Sequence, residues 1–535
     1  MNTSTWSLKE KIGQMFIIAF GGESMTTELE RAIVEWNVGG VILFQRNLKD
    51  TRKVLGLNQS IQEVAKENGN PPLWIGIDQE GGGISYLWDG MVLSPGNMLI
   101  GATNSEKNAF DAAYIMGKQL RELGFNMNYA PDIDINNNPK NPVIGTRSFG
   151  EDPHKVSRFG QEMIKGYHKA GILAVGKHFP GHGDTELDSH LSIPKVDKTF
   201  DELDNFELLP FRENIEAGME AIMTGHILFP KLDSEYPATL SSFFLTELLR
   251  EKYQFNGLIL TDSMEMHAIS KFFGRETGSV KAVQAGADII LACGRDVAAQ
   301  EKMVAAVEQA VQSGEIKEEK INEVVQRILT VKKKWIPNSE IPTIDVDTLR
   351  EDSYFETMKS IAIEGITLYS DLLDLLPFPP SEKVKVISQR TYNDENYVGD
   401  RKAIVHQVFH SNQYDVFYLE ESEPTDQEIR DLHYSIKEEQ YVLLLINERR
   451  TLSSSWSNLF RTLFQKTKKI VVVSLWNPQI LVELPKELGT YIMTYSNTNE
   501  VMKALKDLLE GTNAFKGKSP VELLSPSRIN QRELL

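Results

Sequence analysis

Leu173-Ala174-Val175-Gly176-Lys177-His178-Phe179-Pro180-Gly181-His182-Gly183 passes, in one stretch, from an apolar run to a Gly- and Pro-rich loop. The run is short enough for a buried strand, and the loop carries a lysine and two histidines. The same grammar recurs before and after it. Short runs rich in Val, Ile or Leu stand at 15–20, 38–44, 73–78, 126–130, 221–224, 257–260 and 288–292, bounded by Gly, Pro or polar residues. Strands covered on both faces by helices read this way, because neither face alternates with solvent. Helical stretches such as 210–217 and 298–312 lie between them, with Pro210 suited to a first helical turn. Thr199 with Glu202 spells a capping box for a short helix of its own. Eight such repeats in the first ~330 residues predict an α/β fold built on a (β/α)8 TIM-type barrel. A doubly wound open sheet fits the same alternation, but no G-x-G-x-x-G follows the first strand to give it a nucleotide site.

The pattern breaks at 332–349. Three lysines precede Trp335, and Pro337 and Pro342 then stop any helix, as a linker would. Apolar runs resume at 385–388, 416–419, 441–446, 470–475 and 491–494. The predicted organisation is a catalytic barrel at 1–335, a linker at 336–349, a smaller α/β domain at 350–518 and an extended tail at 519–535.

Composition narrows the partners. Across 535 residues, 57 Lys and Arg stand against 75 Asp and Glu, a net charge of −18. Nucleic acid is therefore not expected, since it requires a basic face that displaces counterions. The single cysteine, Cys293, excludes an internal disulfide and a multi-thiolate metal site. The apolar run 15–20 is shorter than a signal h-region, and no run reaches the roughly 18 residues of a membrane span. A cytoplasmic protein with no membrane partner is the expectation.

In a barrel, chemistry gathers where strands end. Those positions supply Asp78, Arg147, Lys177, His178, His182, Asp188, His190, His226 and Asp262. The Gly and Pro content of 177–194 keeps His178 and His182 off a common helical face, so an H-x-x-x-H zinc pair is not formed there. Asp188 and His190 are two apart, and in extended chain they point the same way. The carboxylate can then hold an imidazole whose ordinary pKa near 6.5 leaves both protonation states accessible. A proton shuttle and a structural pair are both open. Asp262 is either a helix N-cap or a nucleophilic carboxylate. Asp78 is either a turn former before Gly81–Gly83 or an acceptor for substrate hydroxyls. Arg147 and Lys177 either orient polar substrate atoms or neutralise the nearby acids. Cys293 reads as a small buried hydrophobe, and Tyr86 and Trp88 as packing residues or sugar-stacking rings.

Taken together, these runs resemble family 3 glycoside hydrolases, specifically the β-N-acetylhexosaminidase (NagZ-like) branch, from about residue 8 to 335. The matching stretches are Asp78-Gln79-Glu80-Gly81-Gly82, Pro142-Val143-Ile144-Gly145-Thr146-Arg147-Ser148-Phe149, Lys177 through Thr185, Asp188-Ser189-His190 and Leu260-Thr261-Asp262. The second domain is more loosely similar to the α/β sandwich of two-domain members. The resemblance implies a retaining exo-β-N-acetylglucosaminidase acting on a small carbohydrate with a terminal β-linked GlcNAc, as in cell-wall recycling, with neither metal nor organic cofactor. It implies Asp262 as nucleophile and His190, oriented by Asp188, as acid/base. Asp78, Arg147, Lys177 and His178 are then the groups that hold the sugar. A His–Asp pair departs from the common two-carboxylate arrangement, and a neutral imidazole repels an incoming anion less than a carboxylate does. Phosphorolysis is thus one alternative and a β-glucosidase another. A metal-dependent hydrolase using His178, His182, Asp188 and His190, or a non-catalytic sugar-binding protein, are more distant ones. The family usually carries Arg where this chain has Gly83 and Tyr86, which puts its detailed sugar and aglycone contacts in question.

Overall fold

A computed structural model describes residues 3–186, 193–337, 341, 345, 349–392, 401–485 and 489–523. The first half contributes β1 (Phe16–Ile18), β2 (Gly40–Leu43), β3 (Trp74–Ile77), β4 (Gln79–Gly81), β5 (Ile84–Ser85), β6 (Met127–Asn128), β7 (Leu173–Ala174), β8 (Gly176–Phe179), β9 (Ala221–Thr224), β10 (Leu258–Ser263) and β11 (Ile289–Ala292). Nine of these form one sheet in the order β7-β6-β3-β2-β1-β11-β10-β9-β8, with every neighbour parallel. Its two ends, β7 and β8, are separated in the chain by Val175 alone. The Val175 amide meets the carbonyls of Asn128 and Ala130, both at 3.0 Å. The two segments are one passage, so the sheet closes on itself as the predicted barrel.

Each predicted run holds a strand, and the differences lie at the strand ends. The passage starting at Leu173 continues through Lys177, His178 and Phe179, because Phe179 has an apolar place to go. Its ring meets Phe211 at 5.5 Å and Phe244 at 6.4 Å, edge to face, pairs worth about 0.5–1.5 kcal/mol each beyond burial. β10 likewise runs through Asp262 to Ser263, so Asp262 is a strand residue and not an N-cap. The Thr199–Glu202 capping box is present, and Pro210 sits in the first turn of the helix Leu209–Glu216. The antiparallel pair β4–β5, an unpredicted hairpin, replaces a simple turn after Asp78.

The second half contributes β12 (Thr367–Asp371), β13 (Val384–Gln389), β14 (Thr391–Tyr392), β15 (Arg401–Lys402), β16 (Tyr414–Leu419), β17 (Tyr441–Ile446), β18 (Ile470–Ser474) and β19 (Thr490–Met493). Six make a second sheet, β12-β19-β18-β17-β13-β16, parallel except for β12 against β19. Its parallel strands follow the doubly wound order 2-1-3-4-5, which places functional crevices beyond the strands' carboxyl ends. The helix Asp352–Gly365 packs on both Asn499–Leu509 of this half and Asn97–Ala102 of the barrel. Residues 518–520 run back over the barrel, where the Lys518 amide donates to Ala102 O and the Glu151 amide to Pro520 O. No helix among the described residues is long and apolar enough to cross a membrane.

Candidate active site

At the carboxyl end of the barrel sheet, five elements place charged groups around one cavity of about 750 Å³. Asp78 follows β3, and Glu80 lies two residues on in β4, so the extended chain carries both carboxylates to one side. Lys177 and His178 come from β8, Arg147 from the turn Gly145–Arg147, and Asp262 from β10. Asp78, Arg147, Lys177, His178 and Asp262, all predicted site residues, line this cavity together. Asp188 and His190 lie outside the described residues.

Glu80 is the hub of the floor. Arg147 grips it with two bonds, Nε to Oε2 at 2.9 Å and Nη2 to Oε1 at 2.8 Å. Lys177 Nζ adds an ion pair to Glu80 Oε1 at 2.7 Å and a hydrogen bond to Asp78 Oδ1 at 2.6 Å. Bidentate guanidinium–carboxylate pairing fixes direction as well as charge. Burial opposes the charge on Glu80, yet Arg147 and Lys177 outweigh it and hold the carboxyl at about 2. Burial pulls Lys177 down, but Asp78 and Glu80 keep it above the ordinary ammonium range. Asp78 is the softer acid: burial raises it further than Lys177 lowers it.

A second carboxylate holds the histidine loop. Asp134 Oδ2 accepts from His178 Nδ1 at 2.7 Å and from the His178 amide at 3.2 Å, while its Oδ1 accepts from the His182 amide at 2.7 Å. With Nδ1 donating, His178 Nε2 is an acceptor facing Arg147 Nη2 at 3.3 Å. The imidazole is therefore neutral, and burial together with Arg147 presses its pKa to about 4. His182, bonded through Nδ1 to Thr185 Oγ1 at 2.9 Å, is held at about 3 by burial and by His178. Burial raises Asp134 to about 6 and sends Asp132, which faces Arg147 at 3.4 Å, well above its ordinary value.

Among the described residues, Asp132, Asp134 and His178 bring potential metal-ligand atoms within 4.8 Å of one another. His178 Nδ1 is already committed to Asp134, and the guanidinium of Arg147 stands where it would repel a cation. Asp262 has its rotation set by its neighbour, whose amide donates to Oδ1 at 2.6 Å. His226 braces that neighbour and does not line the cavity: its Nε2 lies 2.9 Å from Ser263 O.

The mouth is aromatic and cationic. Tyr86 meets Phe44 edge-on at 5.7 Å, and Arg46 lies over the Phe44 ring at 4.4 Å. An aromatic ring thus stands at one of the two positions where the resemblance leads to arginine, with a cation supplied from 46 instead. Trp88 does not line the cavity, and Arg401 covers its ring at 3.6 Å. Cys293 lines the wall, and burial pushes its thiol well above the ordinary range.

Glu80, Asp132 and Asp134 are not among the residues predicted from the sequence to form the site. The signal was there in the spacing, since Asp78-x-Glu80 and Asp132-x-Asp134 both follow strand ends and both repeat the two-residue step of extended chain.

Residues 7–331 match the pattern described as the glycosyl hydrolase family 3 N-terminal domain. The chain is 36% identical over 369 residues to a β-hexosaminidase A of Pseudoalteromonas piscicida, a match spanning 64% of this chain and 62% of that protein. It is 38% identical over 259 residues to a β-hexosaminidase of Tolumonas auensis, spanning 48% and 75%. In three dimensions it is similar to a family 3 β-N-acetylglucosaminidase from Paenibacillus sp. str. FPU-7, with a TM-score of 0.90, 37% identity and coverage of 97% and 99% of the two chains. With the barrel closed, the charged floor at its carboxyl end and the match covering most of the barrel half, this chain belongs to glycosyl hydrolase family 3.

Proposed function

We propose that the protein is a retaining exo-β-N-acetylglucosaminidase that removes terminal β-linked GlcNAc through a covalent intermediate on Asp262. The observation that carries this reading is the sharing of one cavity by Asp262 with Asp78, Arg147, Lys177 and His178. The names of the relatives supply the substrate class.

In this mechanism the sugar's hydroxyls bond to Asp78, Lys177, Arg147 and His178 on a floor already charge-balanced around Glu80. Such a floor needs little reorganisation when substrate arrives. Asp262 attacks the anomeric carbon while the glycosidic oxygen leaves with a proton from His190. The glycosyl–Asp262 ester then yields to water, whose proton returns to His190. Asp188 orients the imidazole and stabilises its cationic form. Residues 1–335 are proposed as the catalytic unit, 336–349 as the linker, 350–518 as the second domain and 519–535 as the tail. Work in the cytoplasm belongs to the same proposal and draws support from the lone thiol.

The test is a panel of aryl β-glycosides assayed with and without phosphate, products identified, for the wild-type chain and Asp262→Asn. The wild type is expected to favour the N-acetylglucosaminide and release free GlcNAc, and Asp262→Asn to lose turnover while melting normally. Near-normal turnover by that variant would reject the nucleophile. A sugar 1-phosphate product, or a preference for aryl glucoside, would move the protein to one of the neighbouring activities.

A further inference from the structure

The carboxyl edge of the second sheet is turned toward the barrel hairpin that carries Glu80. Trp476 follows β18 in a tightly held turn. The Leu475 amide donates to Ile446 O at 2.8 Å, the Asn477 amide to Glu448 O at 3.1 Å, and Ser474 Oγ to Asn477 O at 2.7 Å. The indole itself is buried, 6% exposed. Its six-membered edge occupies the space beside Gly83 so completely that a Cβ there would lie 1.7 Å from Cη2 and 2.1 Å from Cζ3. Gly81 and Gly82 have φ of 97° and 55° and are glycines for backbone reasons. Gly83 has no such φ, and the three atoms nearest a Cβ there all belong to the indole, so the ring excludes a side chain. Further contacts continue the docking: Ser496 Oγ lies 3.7 Å from where a Cβ on Gly82 would be, and Arg401 covers Trp88.

We propose that Trp476 is a positioning residue for the active site, acting across the domain boundary through the Gly81–Gly83 turn on Glu80. Glu80 is one residue from that turn, and it orients Arg147 by two bonds and Lys177 by one, with Lys177 in turn holding Asp78. Trp476 also lines a small crevice behind the floor with Glu80, Gly83, Thr146 and Arg147. A hairpin that shifts therefore moves three of the groups assigned to the sugar. The inference rests on the proposed site but not on the identity of the sugar.

The test is a two-by-two set on the full chain, Gly83→Ala and Trp476→Phe singly and together. kcat and KM are read on whichever aryl glycoside the wild type turns over fastest, with melting temperatures alongside. Gly83→Ala forces the indole and the hairpin apart, and a displacement near 1 Å at a positioning group costs up to about 100-fold in rate. The loss is expected in kcat/KM. Trp476→Phe shortens the ring and opens the space that the added methyl needs, so Gly83→Ala is expected to lose less than about threefold further in that background. The same Gly83→Ala penalty in both backgrounds would overturn the proposal. Should Gly83→Ala not fold, Trp476→Phe alone remains decisive: reduced kcat/KM with melting retained supports the role, and wild-type kinetics overturn it. Asp262→Asn separates the two readings, because an error in the proposed nucleophile appears there and leaves the two-by-two set interpretable.

Discussion

Glu80 shows how a single carboxylate acquires a role that its side chain does not announce. It touches two buried cations and is itself 3% exposed. Removing one partner from a buried ion pair leaves an uncompensated charge, at a typical penalty of about 3–5 kcal/mol. Glu80→Gln keeps the shape and withdraws the charge between Arg147 and Lys177. It is expected to destabilise the fold by about 3 kcal/mol, read from urea unfolding, and to raise KM as the two cations turn elsewhere. An unchanged midpoint would mean that Asp78 and Asp132 suffice to satisfy them. The run around Glu80 was recognisable in the sequence, but its function as hub was not. That function exists only because β4, β8 and the Gly145–Arg147 turn converge, a coincidence in space that no local spacing encodes. Asp134 is a parallel case, and Trp476 a more distant one, its partner lying in the other half of the chain.

At the scale of elements, the strands of the barrel were legible because burial on both faces writes itself as an unbroken apolar run. β12 was not, since Thr367-Leu368-Tyr369-Ser370-Asp371 is a partly exposed antiparallel edge with no unbroken apolar run. The break at Val175 and the hairpin β4–β5 were also unreadable, because both depend on what the neighbouring strands leave unpaired. Helices carry their own chemistry. Near the end of the helix Pro153–Lys169, His168 lies against Trp335 with ring centres 4.5 Å apart and planes tilted by 52°, and burial, opposed by Glu220 and helped by Lys334, presses its pKa to about 4. The unfolded chain takes up that proton near pH 6.5, whereas the folded helix refuses it until about 4. This residue's contribution to stability is therefore present above that window and is lost as pH drops from about 6.5 to about 4. His168→Gln lacks the slope, so its stability relative to wild type is expected to rise by about 2 kcal/mol between pH 7 and 4.5. Parallel urea curves at the two pH values check the sign, and a pH-independent difference would contradict it.

Over the whole molecule, the two sheets are joined by more than the segment between them. Gly365 ends the helix shared by both halves, and a Cβ there would stand 2.4 Å from the Leu99 carbonyl oxygen. Backbone cannot yield as a side-chain tip does. Gly365→Ala is expected to cost about 1–3 kcal/mol through overpacking and to lower the melting temperature, and an unaltered calorimetric transition would show that the joint is looser than this contact implies. The indole seated on Gly83 has a consequence for how such chains are assembled and exchanged. A recombinant that took this barrel but borrowed its partner module from a relative without that aromatic ring would inherit a void behind its charged floor. The reverse graft, this module on a barrel bearing a long cation at 83, would not seat at all. The two positions must travel together, so modularity here is constrained to matched pairs.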